Sequence, residues 1–251
     1  MNVLKLLTSA SLVCALSLNA YGDKGNFSGF YVGAQGGYGG TKIDGQSLLN
    51  RDLPPHGVDR TTHAGHLGGD KMIGGIHAGY GRQFPNNFYL GIEAYGNLAK
   101  DVSQTALTTA SADHNPAHPT RFNANTFLKA ERSHTLGMTL RPGIVMDKTL
   151  VYAKIGIESF DAIFSASDSS TFSSPGMPNH TRAQKGKSRK RIYGFVPGIG
   201  VYFKVTDHVL LGFEASHGFY QSHSFNLNKK GSRATFKSQT NDVLARVSYQ
   251  W

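Results

Sequence analysis

The chain ends in VLARVSYQW, Val243–Trp251. Val243, Ala245, Val247, Tyr249 and Trp251 take every second position, with Leu244, Arg246, Ser248 and Gln250 between them. A period of two marks a strand with one apolar face and one largely polar face. Chain ends are usually polar and poorly ordered unless something ties them down. This end carries the only Trp of a chain whose mean hydropathy is negative. The last strand is therefore expected to lie with one side against something apolar.

The opposite end has a different pattern. MNVLKLLTSASLVCALSLNAYG has one cation, Lys5, then a mostly apolar stretch from Leu6 to Leu18, then small residues. This looks like a secretory leader over residues 1–22, cut after Gly22 or, as a fallback, after Ala20. The apolar stretch is short of the roughly 20 residues a spanning helix needs. Cys14 follows bulky Val13, which disfavours lipidation, and it is the only Cys. The exported part is expected to hold together without disulfides, by burial and hydrogen bonding.

Apolar alternation recurs in seven further segments: Gly29–Tyr38, Gly74–Phe84, Phe88–Asn97, Ser133–Met146, Thr149–Phe160, Arg191–Val205 and Val209–Tyr220. With 30 Gly, 15 Phe and 11 Tyr, the composition agrees with β structure. The connections alternate in length. Pro85-Asn86-Asn87, Asp147-Lys148 and Thr206-Asp207-His208 are tight. Thr41–Lys71, Lys100–Leu128, Ala166–Lys190 and Phe225–Lys237 are long and polar. Long loops are unusual in a compact soluble domain. Short turns at one end and long loops at the other are the habit of transmembrane β-barrels, whose long loops lie outside the cell. The expectation is an all-β, eight-stranded antiparallel barrel over residues 23–251, with four long extracellular loops and three short periplasmic turns.

Assigning faces extends this reading. With Leu90, Ile92 and Ala94 outward, Glu93 points inward. The same parity turns Arg141, Lys154, Glu158, Glu214 and Arg246 inward, giving three acids and three bases able to neutralise one another. Buried charges are tolerated only when paired and hydrogen-bonded. A soluble sandwich would instead bury the apolar face and leave the Glu residues in water. Pro142 and Pro197 each remove a ladder hydrogen bond, and a bulge is the expected accommodation at Pro197.

GFYVGAQGGYGG after a leader, the LGIEA and LGFEAS strands, and the alternating aromatic terminus together resemble the opacity-type outer-membrane β-barrel family, related to the transmembrane domain of outer membrane protein A. The resemblance covers nearly the whole exported chain and rests on pattern. It implies that the barrel assembly machinery reads the last strand, with Tyr249 and Trp251 as the signal. The family usually ends in Phe, and Trp251 is expected to serve in its place. The resemblance also implies residence in the outer membrane of a Gram-negative bacterium, with loops outside. A monomer with no cofactor is expected.

Charge points to a partner. The chain carries 26 Lys and Arg against 16 Asp and Glu. The excess sits in two stretches: Arg182, Lys185, Lys187, Arg189, Lys190 and Arg191 with one acid, Asp168, and Lys229, Lys230, Arg233 and Lys237 with none. Such a patch attracts polyanions. Lipopolysaccharide phosphates come first, sulfated host glycans second, and nucleic acid is in the wrong compartment. The plainer reading is a solvated surface that complements the anionic leaflet. The expected role is structural or adhesin-like.

Two rivals come from other classes. His56, His63, His66, His114 and His118 crowd the first two loops and could capture haem or metal, without a fixed ligand set. Some barrels modify lipid A acyl chains with Ser, His and a carboxylate, and EASHGFYQSHS holds Glu214, His217, Ser222, His223 and Ser224. Parity turns Glu214 inward and both His outward, which separates a would-be triad. An eight-stranded lumen is just wide enough for side chains, which also disfavours a solute pore.

Overall fold

The computed structural model describes residues 25–53, 57–98, 101–112, 121–173, 180–226 and 233–251. The expected leader, residues 1–22, falls outside the described residues, and so do Lys229 and Lys230. Ten strands follow one another: β1 (Gly29–Leu53), β2 (Gly57–Gln83), β3 (Phe88–Leu98), β4 (Asp101–Ala112), β5 (Arg121–Met146), β6 (Thr149–Ser173), β7 (His180–Lys204), β8 (Val209–Tyr220), β9 (His223–Asn226) and β10 (Arg233–Gln250). They pair antiparallel in the order β1-β2-β3-β5-β6-β7-β8-β10, and β10 pairs back onto β1 from Tyr31↔Gln250 to Leu48↔Arg233. β4 prolongs β3 along β5, and β9 prolongs β8 along β10. The ten pieces are eight staves of a closed barrel.

Period-two sequence sets the two faces. Along β3, Phe88, Leu90, Ile92 and Ala94 are exposed while Tyr89, Gly91, Glu93 and Tyr95 are buried. The outer wall carries Phe30, Ile76, Met138, Ile157, Ile199 and Phe213 around its circumference. The stretches Phe30 to Tyr38 and Phe88 to Leu98 have the length a tilted strand needs to cross hydrocarbon, about 9–11 residues. Aromatic side chains mark both margins. Tyr38, Tyr193 and Phe219 stand at one; Phe30, Tyr80, Tyr249 and Trp251 stand at the other.

The tight turns follow from local chemistry. Asn87 (φ 63°) and Asp147 (φ 51°) take left-handed backbone, which Asn and Asp tolerate best among residues with a side chain. At the seam, the Trp251 N–H donates to the Phe30 carbonyl at 3.0 Å. Gly29 (φ 132°) lies beside it, and a Cβ there would stand 2.3 Å from the Trp251 carbonyl oxygen. Only glycine permits this closure. The same end is filled by Phe27, Tyr89, Val145, Leu150, Tyr152, Tyr202 and Leu210.

The structure departs from the sequence reading at three places. Much of each polar connection is itself strand. β6 and β7 stay paired from Thr149↔Phe203 to Phe172↔His180. Beyond Phe160 that hairpin rises roughly 40 Å along its strands, and Phe160, Ala162, Phe164, Ile43 and Phe236 give it an inner core. Backbone pairing needs no apolar outer face, so the hydropathy pattern ends where the strands do not. At Pro197 the ladder to β8 lapses between Phe195↔Phe219 and Gly198↔Ser216 and resumes in the same register, without a bulge. Finally, His223 points inward, not outward. Between Phe219 and His223 the β8–β9 stave advances one residue more than β10 does between Gln239 and Phe236. One extra residue reverses parity.

Two outcomes are expected. The folded protein should migrate differently on gels before and after heating, because eight hydrogen-bonded seams must open together. Deleting Trp251, or replacing Tyr249 and Trp251 with Ser, should abolish insertion while export continues, as read by fractionation and surface labelling.

Candidate functional site

The lumen is bridged by charge. Glu93 on β3 and Glu214 on β8 stand on opposite walls, four staves apart, and so do Arg141 on β5 and Arg246 on β10. Arg141 Nη2 donates to Glu93 Oε1 and to Glu214 Oε2, both at 2.6 Å. Arg246 makes the complementary pair, Nη2 to Glu93 Oε1 and Nη1 to Glu214 Oε2, each at 2.7 Å. Lys154 Nζ reaches Glu214 Oε1 at 2.8 Å and the Tyr152 hydroxyl reaches Oε2 at 2.9 Å. Each acid therefore touches both guanidinium groups.

A second layer lies toward the long hairpins. Glu158 accepts from the Tyr95 hydroxyl (2.8 Å), the Tyr220 hydroxyl (2.5 Å) and Arg132 Nη2 (2.5 Å). The Arg132 guanidinium also stacks 4.1 Å from the Phe160 ring centroid. Tyr95, Gly137, Glu158, Gly194 and Tyr220 form one cross-strand row. A Cβ on Gly137 or Gly194 would lie 2.3 or 2.2 Å from the Tyr95 or Tyr220 ring, so the glycines are what let both tyrosines lie flat across the row. Lys71 and Asp242 pair nearby at 3.3 Å.

Of the six charges expected in the lumen, five therefore meet in one network and Glu158 forms another. Parity would have found Lys71 and Asp242 had the strands been read further. Arg132 was beyond it, because β5 shifts register against β6 between Arg132 and Thr135, which turns an even-numbered residue inward.

The expected cations occupy the opposite environment. Lys185, Lys187, Arg189, Lys190 and Arg191 are exposed on β7 beyond the apolar band, and Lys237 is exposed on β10. Arg233 opens β10, with its side chain outside the described set. β9 links these strands: His223 pairs with Phe236 of β10 and meets Ser188 of β7 at 3.2 Å. That places Lys237 about 10–15 Å from Lys187 and Arg189, given strands about 4.8 Å apart. Arg191 forks onto Asp161 at 3.1 and 3.2 Å, and this hydrogen bonding holds the Asp161 carboxyl below its ordinary range. Burial, then the Lys190 charge, lowers the His223 imidazole.

The residues of the catalytic rival do not converge. Glu214 is in the lumen, His217 faces outward with Nδ1 2.6 Å from Asn241 Oδ1, and Ser224 bonds Thr235 at 2.8 Å. The side chains of His56, His63, His66, His114 and His118 lie outside the described residues.

The model of the outer membrane protein beta-barrel domain matches residues 7–250. The chain belongs to that family. A search of curated proteins finds no match. Among solved structures, the chain is similar to the outer membrane protein OprG from Pseudomonas aeruginosa, with 11% identity over 92% of this chain and 99% of that one, and a TM-score of 0.44. It is also similar to Ail, the attachment invasion locus protein of Yersinia pestis (10% identity, 88% and 99% covered, TM-score 0.23), and to the outer membrane protease OmpT from Escherichia coli (10%, 89% and 97%, 0.28). Likeness at this level assigns no role to the chain.

Breaking one member of a buried ion network leaves its partners charged and uncompensated, at about 3–5 kcal/mol. Glu214→Gln is expected to lower the unfolding free energy by about that amount, measured by urea titration in lipid vesicles. Lys129→Ala, at an exposed pair with Glu131, should leave the midpoint unchanged.

Proposed function

We propose that this protein is a non-enzymatic surface barrel of the Gram-negative outer membrane, with its long hairpins outside the cell. Its role is structural or adhesin-like, and the cationic hairpins contact lipopolysaccharide or host polyanionic glycans. One observation carries the reading: Lys185, Lys187, Arg189, Lys190 and Arg191 are all exposed on one strand beyond the apolar band, and Lys237 lies on the adjoining quadrant. The acids of this region are few, and Asp161 and Glu131 already pair with Arg191 and Lys129. The lumen, by contrast, spends its charge on internal pairing, which supports a scaffold in place of a conduit. The separation of Glu214, His217 and Ser224 supports a role without catalysis.

Exposed charges act within a Debye length of about 8 Å at physiological salt. A partner must come close and present several negative groups, so binding is multivalent and salt-reversible. The test is retention on immobilised heparin and on lipopolysaccharide across a salt gradient. Changing Lys185, Lys187, Arg189, Lys190, Arg191, Lys229, Lys230, Arg233 and Lys237 to Ser or Gln should abolish retention with the barrel still heat-modifiable. Single substitutions should shift elution only slightly. Retention that survives full neutralisation would move the site to the His-rich hairpins.

A further inference from the structure

Above the central square, where the staves pass into the hairpins, the barrel interior encloses a cavity of about 20 Å3. β1 and β10 bound it on one side with Thr41 and Ser238, and β5 and β6 bound it opposite with Arg132, Phe160 and Ala162. That volume admits one particle the size of a water molecule or a small halide. Glu131 touches the margin, but its side chain is 36% exposed and its carboxylate pairs with Lys129.

Arg132 supplies the polarity. Its guanidinium lies 4.1 Å from the Phe160 ring centroid and 5.2 Å from that of Tyr220, so rings take its faces and leave its edges. Nη2 is spent on Thr135 at 3.0 Å, Tyr220 at 3.3 Å and Glu158 at 2.5 Å. Nε and Nη1 have no hydrogen-bond partner among the described residues, and neither has the Thr41 hydroxyl. Leaving buried donors unpaired is costly, so the cavity calls for a group that accepts from them.

Charge decides which group. Among the described residues the lumen holds five buried cations, Lys71, Arg132, Arg141, Lys154 and Arg246, against four carboxylates, Glu93, Glu158, Glu214 and Asp242. Interior charge is tolerated when it is compensated, and this interior is one negative charge short. The cavity offers N–H and O–H donors set among apolar side chains. A water there would bring two hydrogens that need acceptors of their own. A halide only accepts, and it carries the missing charge.

We propose that this cavity binds one small monovalent anion of the halide class, chloride in ordinary saline. The ion accepts from the free N–H groups of Arg132 and from the hydroxyls of Thr41 and Ser238. It bridges the β1–β10 wall to the β5–β6 wall at the base of the hairpins. The site uses none of the exposed cations assigned to polyanions, so the two readings stand or fall separately.

The test uses the full barrel crystallised from sodium bromide, with bromide located by its anomalous scattering. One bromide per barrel is expected in the cavity, within hydrogen-bond range of Arg132 and Thr41. A water there without anomalous signal, or bromide confined to the exposed β7 cations, would overturn the site. Stability gives a second readout. In lipid vesicles the urea midpoint should be higher in sodium chloride or bromide than in sodium gluconate at equal ionic strength, because the ion binds the folded state. Thr41→Val removes one donor at nearly constant shape and should weaken halide binding about tenfold, the effect of one hydrogen bond to an ion. Ala162→Val fills the cavity, keeps the Arg132–Glu158 pair and should abolish the halide advantage. Equal midpoints in all three salts, or a halide advantage undiminished in both variants, would also overturn the proposal. Should Ala162→Val fail to fold, the bromide map of the wild type and the Thr41→Val titration decide.

Discussion

Four charged side chains at the middle of the barrel hold its walls in one arrangement. Glu93, Glu214, Arg141 and Arg246 come from staves facing each other across the lumen, and each acid bonds both arginines at 2.6–2.7 Å. Taking charge out of water is costly, and the cost is offset only when geometry and hydrogen bonding are nearly complete. A stave shifted by one residue would swap a charge for an apolar side chain and leave three partners stranded. The network is therefore better understood as fixing register and closure than as adding net stability, since buried ion pairs seldom exceed well-packed apolar residues in stability.

The rest of the lumen is organised around that square. Toward the short turns, Phe27 and the stacked Tyr152 and Tyr202 rings fill the cross-section. Toward the hairpins, Glu158 gathers Tyr95, Tyr220 and Arg132, and above them Phe164 stacks on Phe236 at 4.9 Å. The charged pairs of the band lie on the inner face because hydrocarbon on the outside offers no hydrogen-bond partner. Charge with no internal partner then has one place left, the hairpins beyond the apolar band. The cationic wall on β7 follows from the same partition that built the core.

That partition also bears on function. The lumen charges pair chiefly with one another, while Glu93 Oε2, Arg141 Nη1 and Arg246 Nε have no hydrogen-bond partner among the described residues. The β7 cations are in the reverse condition, close together and solvated, with Asp161 and Glu131 as the acids beside them. In the proposed reading, recognition belongs to the outer surface, where the multivalent geometry suits extended polyanions.

Much of this architecture was legible in the sequence. Period two in VLARVSYQW and its seven counterparts is a direct consequence of the pleat, which sends successive side chains to opposite faces. Which residues face in and which face out could therefore be read where strands are regular, as for Glu93, Arg141, Lys154, Glu214 and Arg246. The tight turns at Asn87 and Asp147 were equally local. Parity names a face but not a partner. That Glu93 meets Arg246, 153 residues away, depends on closure of the sheet, and only the tertiary structure decides it. Parity also fails wherever a stave gains a residue. Arg132 and His223 turn inward because of register shifts that no local composition announces. The length of the hairpins was hidden for a related reason. Outside hydrocarbon, a strand is held by backbone pairing to its neighbour, and side chains on its solvated face are under no constraint to alternate.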